Sequence, residues 1–343
     1  MKIYFDRNNG PIDEIIEQLM ETAGGIRRPK YIREMIIAAL KAGQEDDGSA
    51  DLKLMSKTLK EMRFTTKVFS PYQNVRKVTV FGSARTQPGE PEYEMAKLFG
   101  KKLAEIGFMV ITGGGDGIMK AVNEGAGFEH SFGVNIRLPF EQEMNHVLEG
   151  SPRVITYKYF FNRKVAFLKE SDAVVLFPGG FGTLDEAMET LTLMQTGKRN
   201  PMPLVLVDNP ECSYWSNMVK LFEEELLARN YICPSDFALF KKVCSVDDAV
   251  EEIKRFYRRY HSLRYVRGRL VIRLTSSLNS EDIETLRGKF HDILLPGGNI
   301  VASEALEAEV EDEDVIHLPR LVIDFNRRDF GRLMDLIDMI NDL

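Results

Sequence analysis

The chain has 343 residues, of which 44% are hydrophobic, an ordinary share for a globular protein that excludes wholesale disorder. This length predicts one large domain with additions or two to three small domains. The net charge of −7 and the pI near 5.5 argue against a dedicated nucleic-acid binder, whose surface would be basic.

Targeting signals and metal-binding patterns are missing from the sequence. The opening MKIYFDRNNGPIDE has charges where a signal peptide needs an apolar core, and the uncharged run AVVLFPGGFGTL is too short and glycine-rich to span a bilayer. Cys212, Cys233 and Cys244 form no C-x-x-C pair, and the five histidines are scattered. We therefore expect a soluble, cytoplasmic protein with no metal site and neither a membrane nor a nucleic-acid partner.

Residues 1–70 predict a mainly helical extension. Apolar residues recur at helical spacing in PIDEIIEQLMETA and in KYIREMIIAALKAG. The segment QEDDGSAD at 44–51 combines charges with turn-forming residues, so we expect it to link two helices.

The middle of the chain alternates between short apolar runs and helical patterns. Continuous apolar strands are typical of a parallel sheet covered by helices on both faces, where ligands bind beyond the carboxyl ends of the strands. We therefore predict a doubly wound, Rossmann-like α/β domain over residues 71–262, with a ligand site beyond the carboxyl ends of its strands. The apolar runs are VTVFG (78–82), FMVITG (108–113), SFGVNI (131–136), RVITY (153–157), AVVLF (173–177) and PLVLVD (203–208).

Residues 263–343 predict a small α+β appendage. The segments RLVIRLTSS, SEDIETLRGKFHDIL, NIVASEALEAEV, PRLVIDF and RRDFGRLMDLIDMIND read in order as β-α-β-β-α. The run from Glu304 to Asp314 holds seven acids in eleven positions, which favours a solvated hairpin or loop over a regulatory contact.

Glycine-bearing turns follow the first two strands. In FGSAR (81–85), Gly82 and Ser83 offer backbone N–H groups and a hydroxyl for a phosphate, although this stretch taken alone favours an ordinary strand-to-helix turn. In TGGGDGIMKAVNEGA (112–126), adjacent glycines permit the close approach of a ligand or of another backbone segment. Ile118 breaks the G-x-G-x-x-G pattern, so the turn indicates phosphate or nucleotide binding only in general.

A third turn, FPGGFGTLDE (177–186), allows two interpretations. It is a helix start if Thr183 is the N-cap and Glu186 reaches back from position N3, as in a capping box. It is a phosphate site if its three glycines present backbone donors at the helix N-terminus. Both interpretations suit Thr183, but they compete for the carboxylate of Glu186.

A fourth segment, YFFNRKVAFLKESD (159–172), completes a family pattern. Taken alone, Arg163 and Lys164 are solvated helix charges. Followed by P-G-G-x-G-T-x-x-E at 178–186, the pair resembles the signature of the Lonely Guy (LOG) family, formerly described as lysine decarboxylases. The resemblance covers roughly residues 76–260 and includes the first two turns. Relatives often carry proline where Asp116 stands, so we expect that loop tip to differ.

The resemblance implies a phosphoribohydrolase that splits a nucleoside 5′-monophosphate, such as AMP, into free base and ribose 5-phosphate without a cofactor. It further implies a homo-oligomer, like the longer bacterial nucleotide nucleosidases that carry added flanking domains. By motif position Arg163 and Glu186 would be the catalytic pair. The substrate site would comprise Gly82, Ser83, Gly114, Gly115, Glu141, Lys164, Gly179, Gly180, Phe181, Gly182, Thr183, Leu184, Asp185 and Thr192.

The residue types suit this chemistry. Breaking an N-glycosidic bond builds positive charge on the ribose, which a carboxylate such as Glu186 stabilises while it orients or deprotonates water. We therefore expect Glu186 at N3 to face the ribose rather than to close the capping box. Arg163 suits charge stabilisation but is a poor proton donor, so the group that protonates the leaving base stays open.

Two functions other than hydrolysis compete for this sequence pattern. The alternative is a nucleotide-binding sensor or carrier that does not hydrolyse its ligand, as in the related molybdenum-cofactor carriers. A pyridoxal decarboxylase is disfavoured, because it would need a Schiff-base lysine and a larger cofactor-binding fold.

Overall fold

The computed structural model describes residues 3–45, 48–138, 144–211, 213–309 and 313–343. The chain forms two compact units, residues 1–64 and residues 65–343. Within the described ranges, no helix is both long and apolar enough to cross a membrane.

The first unit is helical, as predicted. Helix α1 spans Pro11–Ala23, α2 spans Pro29–Glu45, and α3 begins at Ser49 and ends at Phe69. Ile3, Ile16 and Ile37 are its buried apolar side chains. The predicted link at 44–51 lies where α2 ends and α3 begins, with residues 46 and 47 outside the described ranges.

The second unit is built on a seven-stranded parallel sheet. Every predicted apolar run forms a strand, and the short edge strand β7 is additional, because KKV is too short and too polar to stand out in the sequence. The spatial order is β4-β3-β2-β1-β5-β6-β7. The strands are β1 Lys77–Phe81, β2 Met109–Thr112, β3 Ser131–Ile136, β4 Val154–Tyr157, β5 Ala173–Leu176, β6 Leu204–Val207 and β7 Lys241–Val243.

Helices cover both faces of this sheet, and the sheet separates two apolar cores. Phe132, Phe167 and Trp215 belong to one core, and Phe99 and Val250 belong to the other. The predicted doubly wound Rossmann-like fold is confirmed. The helices are α4 Pro91–Glu105, α5 Ile118–Ala126, α6 Phe160–Lys169, α7 Phe181–Gln195, α8 Tyr214–Leu221 and α9 Val246–Phe256.

The order of the strands creates a crevice between β1 and β5. From β1 the chain adds β2, β3 and β4 on one side, and it then returns to add β5, β6 and β7 on the other. At such a switch point the connections leave in opposite directions, which opens a space beyond the carboxyl ends of the two strands.

The C-terminal part is the expected α+β appendage, with one strand more than predicted. The order is β-β-α-β-β-α, because YHSLRYV pairs with the next strand as an antiparallel hairpin. Only three of its seven residues are buried, so its pattern is weak in the sequence. The elements are β8 Tyr260–Val266, β9 Arg269–Leu274, α10 Ser280–Lys289, β10 Ile300–Ser303, β11 Arg320–Ile323 and α11 Phe330–Asp342.

The acidic run is anchored on this appendage rather than wholly solvated. The Glu309 carboxylate is fully buried, with Oε1 2.6 Å from Arg273 Nη2 and Oε2 3.3 Å from Arg320 Nε. The prediction of a solvated loop is therefore wrong for Glu309, whose charge is compensated by arginines on β9 and β11. Residues 310–312 of the run lie outside the described ranges.

Helices α4 and α5 pack closely because two glycines meet the opposite backbone. A Cβ on Gly100 would overlap the Val122 carbonyl oxygen, and a Cβ on Gly125 would overlap the Lys97 carbonyl oxygen. We expect Gly125→Ala to lower the free energy of unfolding by on the order of 2 kcal/mol in chemical denaturation, because backbone must shift to admit the methyl group.

The matched control is Gly288→Ala, at an exposed position of α10 where nothing lies within 4 Å of the added Cβ. It should stabilise the protein by about 0.5–1 kcal/mol, because alanine is the better helix former. Equal effects of the two substitutions would contradict this account of the packing.

Candidate functional site

A pocket of about 790 Å³ occupies the switch point, where the turns after β1 and β5 meet. It brings together residues that the sequence predicted from three separate segments, and it adds others. It is lined by Phe81, Gly82, Ser83, Ala84, Arg85, Met119, Arg163, Gly179, Gly180, Phe181, Gly182, Thr183, Leu184, Glu186 and Tyr214.

Two glycines permit close packing at the floor of the pocket, Gly179 between the turns after β1 and β5 and Gly82 against α5. The Ser83 N–H donates to the Pro178 carbonyl oxygen at 3.0 Å. A Cβ on Gly82 would lie 2.7 Å from the Ile118 side chain, and a Cβ on Gly179 would overlap Thr183 Oγ1. These glycines therefore serve close packing of the pocket floor, whatever they contribute to ligand binding.

Helix α7 opens onto the pocket at its N-terminus. Gly180 is the N-cap and Phe181 the first helical residue, and both line the pocket together with Gly182. A Cβ would meet nothing within 4 Å at Gly180 or at Gly182, so these two glycines leave open space. The first N–H groups of a helix have no partner inside it, and here they lie where an anion could accept from them.

The predicted helix start, with Thr183 as N-cap and Glu186 at N3, is wrong. The helix begins three residues earlier than a capping box at Thr183 requires, so Thr183 stands at N3 and its backbone N–H donates to the Gly180 carbonyl oxygen at 3.0 Å. No side chain caps the helix, because the extended Gly180 takes that position. Glu186 lies in the second turn instead of at N3, which leaves its carboxyl group free for the pocket.

Glu186 is a buried carboxyl group, and one of its oxygens has no hydrogen-bond partner among the described residues. The residue is 3% exposed, and its Oε1 lies 3.4 Å from Lys164 Nζ. Oε2 is buried without a hydrogen-bond partner in the described parts of the chain. Burial raises the pKa of Glu186 to about 7, against the opposing charges of Lys164 and Arg163. The group is therefore poised between its acid and base forms near neutral pH.

Arg163 brings a cation to the same pocket from α6. Its guanidinium carbon lies 5.3 Å from the ring centroids of both Phe160 and Phe167, within range of cation–π attraction. Nε is buried and lacks a hydrogen-bond partner among the described residues. Burial lowers the pKa of Arg163, but a guanidinium remains charged at neutral pH. The arrangement leaves donor capacity for a ligand.

Lys164, the other half of the pair, turns toward carboxylates of α7. Its Nζ lies 2.7 Å from Asp185 Oδ2, 2.8 Å from Glu189 Oε2 and 3.4 Å from Glu186 Oε1. Burial opposes the charge, but the hydrogen bonds that Lys164 donates to Asp185 and Glu189 raise the pKa of Lys164 above its usual value. Lys164 and Asp185 thus lie beside Glu186 and are not among the residues that line the pocket.

Other predicted residues lie away from this pocket or outside the description. Gly114 and Gly115 are buried, and their carbonyl oxygens accept from Asn145 N at 2.9 Å and from Asn145 Nδ2 at 3.1 Å. Thr192 is exposed beside a separate apolar pocket of about 150 Å³. Glu141 lies outside the described residues. Roles for these residues in substrate binding stay predictions.

Tyr214 is a pocket residue that the sequence analysis missed. It is the first residue of α8, and its hydroxyl donates to the Gly179 carbonyl oxygen at 2.7 Å. Its burial raises the pKa of Tyr214. The position was foreseeable, because the residues after β6 reach the same edge of the sheet as those after β1 and β5. Arg85, two residues beyond Ser83, was likewise overlooked.

Comparison with protein families finds a match to one model. Residues 118–253 match the family described as "Possible lysine decarboxylase". The chain is 31% identical over 157 residues to the probable cytokinin riboside 5′-monophosphate phosphoribohydrolase LOG4 of Oryza sativa subsp. japonica, covering 44% of this chain and 64% of the relative. The chain thus spans just under two thirds of that relative.

Other relatives and solved structures match about half of the chain. The cytokinin riboside 5′-monophosphate phosphoribohydrolase LOG7 of Arabidopsis thaliana is 25% identical over 172 residues, 49% of this chain and 76% of the relative. A solved molybdenum cofactor binding protein of Rippkaea orientalis is 19% identical with a TM-score of 0.37, covering 52% of this chain and 94% of its own. A score of this size carries no functional argument.

The raised pKa of Glu186 makes a prediction about stability. Between pH 4.5, the usual pKa, and about 7, the unfolded state loses this proton while the folded state keeps it, so folding stability falls as pH rises. Glu186→Gln removes this penalty, which is on the order of 2–3 kcal/mol above pH 7.

Thermal unfolding of the two proteins at pH 5 and pH 8 tests this prediction. The gain in melting temperature from Glu186→Gln should be larger at pH 8 than at pH 5. The same gain at both values would show that the carboxyl group is not held protonated by burial.

Proposed function

Because this chain belongs to the Lonely Guy (LOG) family, we propose that it hydrolyses the N-glycosidic bond of nucleoside 5′-monophosphates in the cytoplasm. AMP-like purine nucleotides are the favoured substrates, and the products are the free base and ribose 5-phosphate. The observation that carries the proposal is the pair formed by Glu186, with its free Oε2, and Arg163 in one pocket with the glycine turns.

The phosphate would lie at the N-terminus of α7. Backbone N–H groups of the segment 180–182 offer donors there, and the helix dipole favours a negative group. Ser83 and Arg85, on the turn after β1, face the same space and add a hydroxyl and a cation. A phosphate held here fixes the ribose between the two turns.

Glu186 would act on the ribose. As the bond between C1′ and the base breaks, positive charge grows on the ring, and a nearby carboxylate stabilises it. Oε2 is free to accept a proton from the attacking water. The new C1′–O bond then completes ribose 5-phosphate, and one proton of the water ends on the released base.

Arg163 would assist the departing base. The base gains electron density as the bond breaks, and the buried cation offers hydrogen bonds to it. The aromatic rings of Phe160 and Phe167 hold the guanidinium in place.

Incubation with a panel of nucleoside monophosphates, monitoring free base and ribose 5-phosphate, tests the proposal. We expect purine monophosphates to be cleaved, and Glu186→Ala and Arg163→Ala each to lower kcat by about 10²-fold or more. Glu225→Gln, which removes a surface ion pair with Arg229, is the control and should retain activity.

Two results would count against hydrolysis. One is that no nucleotide is cleaved, and the other is that Glu186→Ala remains fully active. Tight binding of a nucleotide without turnover would instead support the carrier alternative.

We also propose that the chain forms a homo-oligomer through the exposed faces of α6 and α7. Phe160, Phe161 and Val165 are exposed on α6, and Phe181 is 92% exposed at the start of α7. Neighbouring exposed apolar side chains mark association surfaces more often than isolated ones do.

Molar mass from light scattering tests this association. We expect a dimer or larger assembly for the wild-type chain and a lower mass for the double variant Phe161→Asp, Val165→Asp, because burying two carboxylates at an interface is unfavourable. Tyr231→Asp, at another exposed aromatic residue, should keep the wild-type mass. A monomeric wild-type chain would refute the proposal.

A further inference from the structure

The cluster around Lys164 contains one ammonium group and three carboxyl groups. Asp185, Glu186 and Glu189 project from neighbouring positions of α7, since residues three and four apart share a helical face. Lys164 Nζ lies 2.7 Å and 2.8 Å from the carboxylates of Asp185 and Glu189, but 3.4 Å from Glu186. Glu186, the carboxyl group that lines the pocket, therefore has the weakest interaction with the Lys164 ammonium group.

The three carboxyl groups differ in their access to water. The side chains of Asp185 and Glu189 are 60% and 30% exposed, whereas Glu186 is almost fully buried. An ionised carboxylate is costly without water or a close cation. With Lys164 closest to the two better-solvated partners, a proton is retained most readily by Glu186.

We propose that Glu189 is a positioning residue, which holds Lys164 away from Glu186 and thereby controls the protonation of the pocket carboxyl group. This inference rests on the proposed function for its catalytic meaning, and it adds a residue outside the family signature. Glu189 is not among the residues that line the pocket, so it acts through Lys164 and through its own charge.

The charges around Glu186 agree with this role. Burial raises the pKa of Glu186 and the negative charge of Glu189 raises it further, whereas Lys164 and Arg163 on α6 lower it. Asp185 competes for Lys164 from the neighbouring position on α7, and Tyr214 and Arg85 line the same pocket. Of these groups, Glu189 both repels the Glu186 charge and withdraws the compensating cation.

Because Glu189 favours the protonated form of Glu186, Glu186 can supply the proton that the leaving base needs. A protonated Glu186 donates its proton to the base nitrogen as the C1′–N bond breaks, and the resulting carboxylate takes one proton from the attacking water as the C1′–O bond forms. Protons balance over the cycle, and Glu186 returns to its starting state. Arg163 needs only to stabilise charge.

The experiment is a pH titration of the Glu186 carboxyl carbon by NMR in unliganded protein labelled with ¹³C-glutamate, with the signal assigned by its loss in Glu186→Gln. We expect Glu189→Gln to lower the pKa of Glu186 by about 1, so that the ratio of protonated to ionised Glu186 falls about tenfold at a given pH. Glu189→Ala should have the same effect. Glu189→Asp, which retains the charge, should restore a raised value.

Glu225→Gln removes a surface glutamate of the π-helix at residues 222–227 and is the matched control, with no expected change in the Glu186 titration. If both Glu189→Gln and Glu189→Ala leave the pKa of Glu186 where the control leaves it, the inference is overturned. A fall of the same size in Glu189→Asp would also overturn it.

The kinetic readout separates this inference from the proposed function. If nucleotides are hydrolysed, the alkaline limb of the kcat/KM profile, where the protonated form of Glu186 is lost, should move to lower pH with Glu189→Gln by the same amount as the NMR titration. If the NMR pKa falls but no nucleotide is cleaved, the control of Glu186 by Glu189 stands while the hydrolase proposal fails.

Discussion

The site depends on the close approach of two turns, one after β1 and one after β5. The hydrogen bond from Ser83 N to the Pro178 carbonyl oxygen joins them, and Gly179 permits the approach because a Cβ there would lie 2.9 Å from Ser83 N. With the turns joined, the N-terminus of α7 opens onto the crevice that the strand order creates. The Tyr214 hydroxyl then fixes the same loop from β6 by binding the Gly179 carbonyl oxygen.

Placing α7 in this way also determines the environment of Glu186. Because the helix begins at Phe181, Glu186 lies in its second turn, below the opening and against α6. There it loses most of its water and meets Arg163 and Lys164, the two cations of α6. The same backbone geometry that presents N–H groups to an anion therefore also buries the carboxyl group of Glu186.

Much of this was predictable from the sequence, for identifiable reasons. The buried parallel strands appear as continuous apolar runs, and glycines before a helix mark the strand ends, so the sheet and the pocket edge could be inferred. The pairing of Arg163 with Glu186 came only from the resemblance to a family signature. The start of α7 could not be inferred, because Thr183 and Glu186 fit a capping box equally well and only tertiary packing of Gly179 decides between the two starts. Strand β8 was missed because its exposed positions dilute the apolar pattern.

The separation of Arg163 from Lys164 was also beyond the sequence. The side chains of adjacent helical residues point about 100° apart, but the amino-acid sequence does not indicate which of the two faces the pocket. The structure directs Arg163 into the pocket and Lys164 toward Asp185 and Glu189. Which carboxylates gather around a lysine depends on how α6 and α7 pack, a long-range property.

That gathering leaves the charge of Glu186 incompletely compensated. A lysine devoted to Glu186 would make the fold more stable, but it would also keep the carboxyl group ionised at every physiological pH. Because Glu186 shares the Lys164 ammonium group with Asp185 and Glu189, part of that stability is lost, and the pKa of Glu186 stays at about 7. Residues that combine burial with incomplete compensation are typical of catalytic centres, because the cost in stability is what makes the group able to exchange a proton.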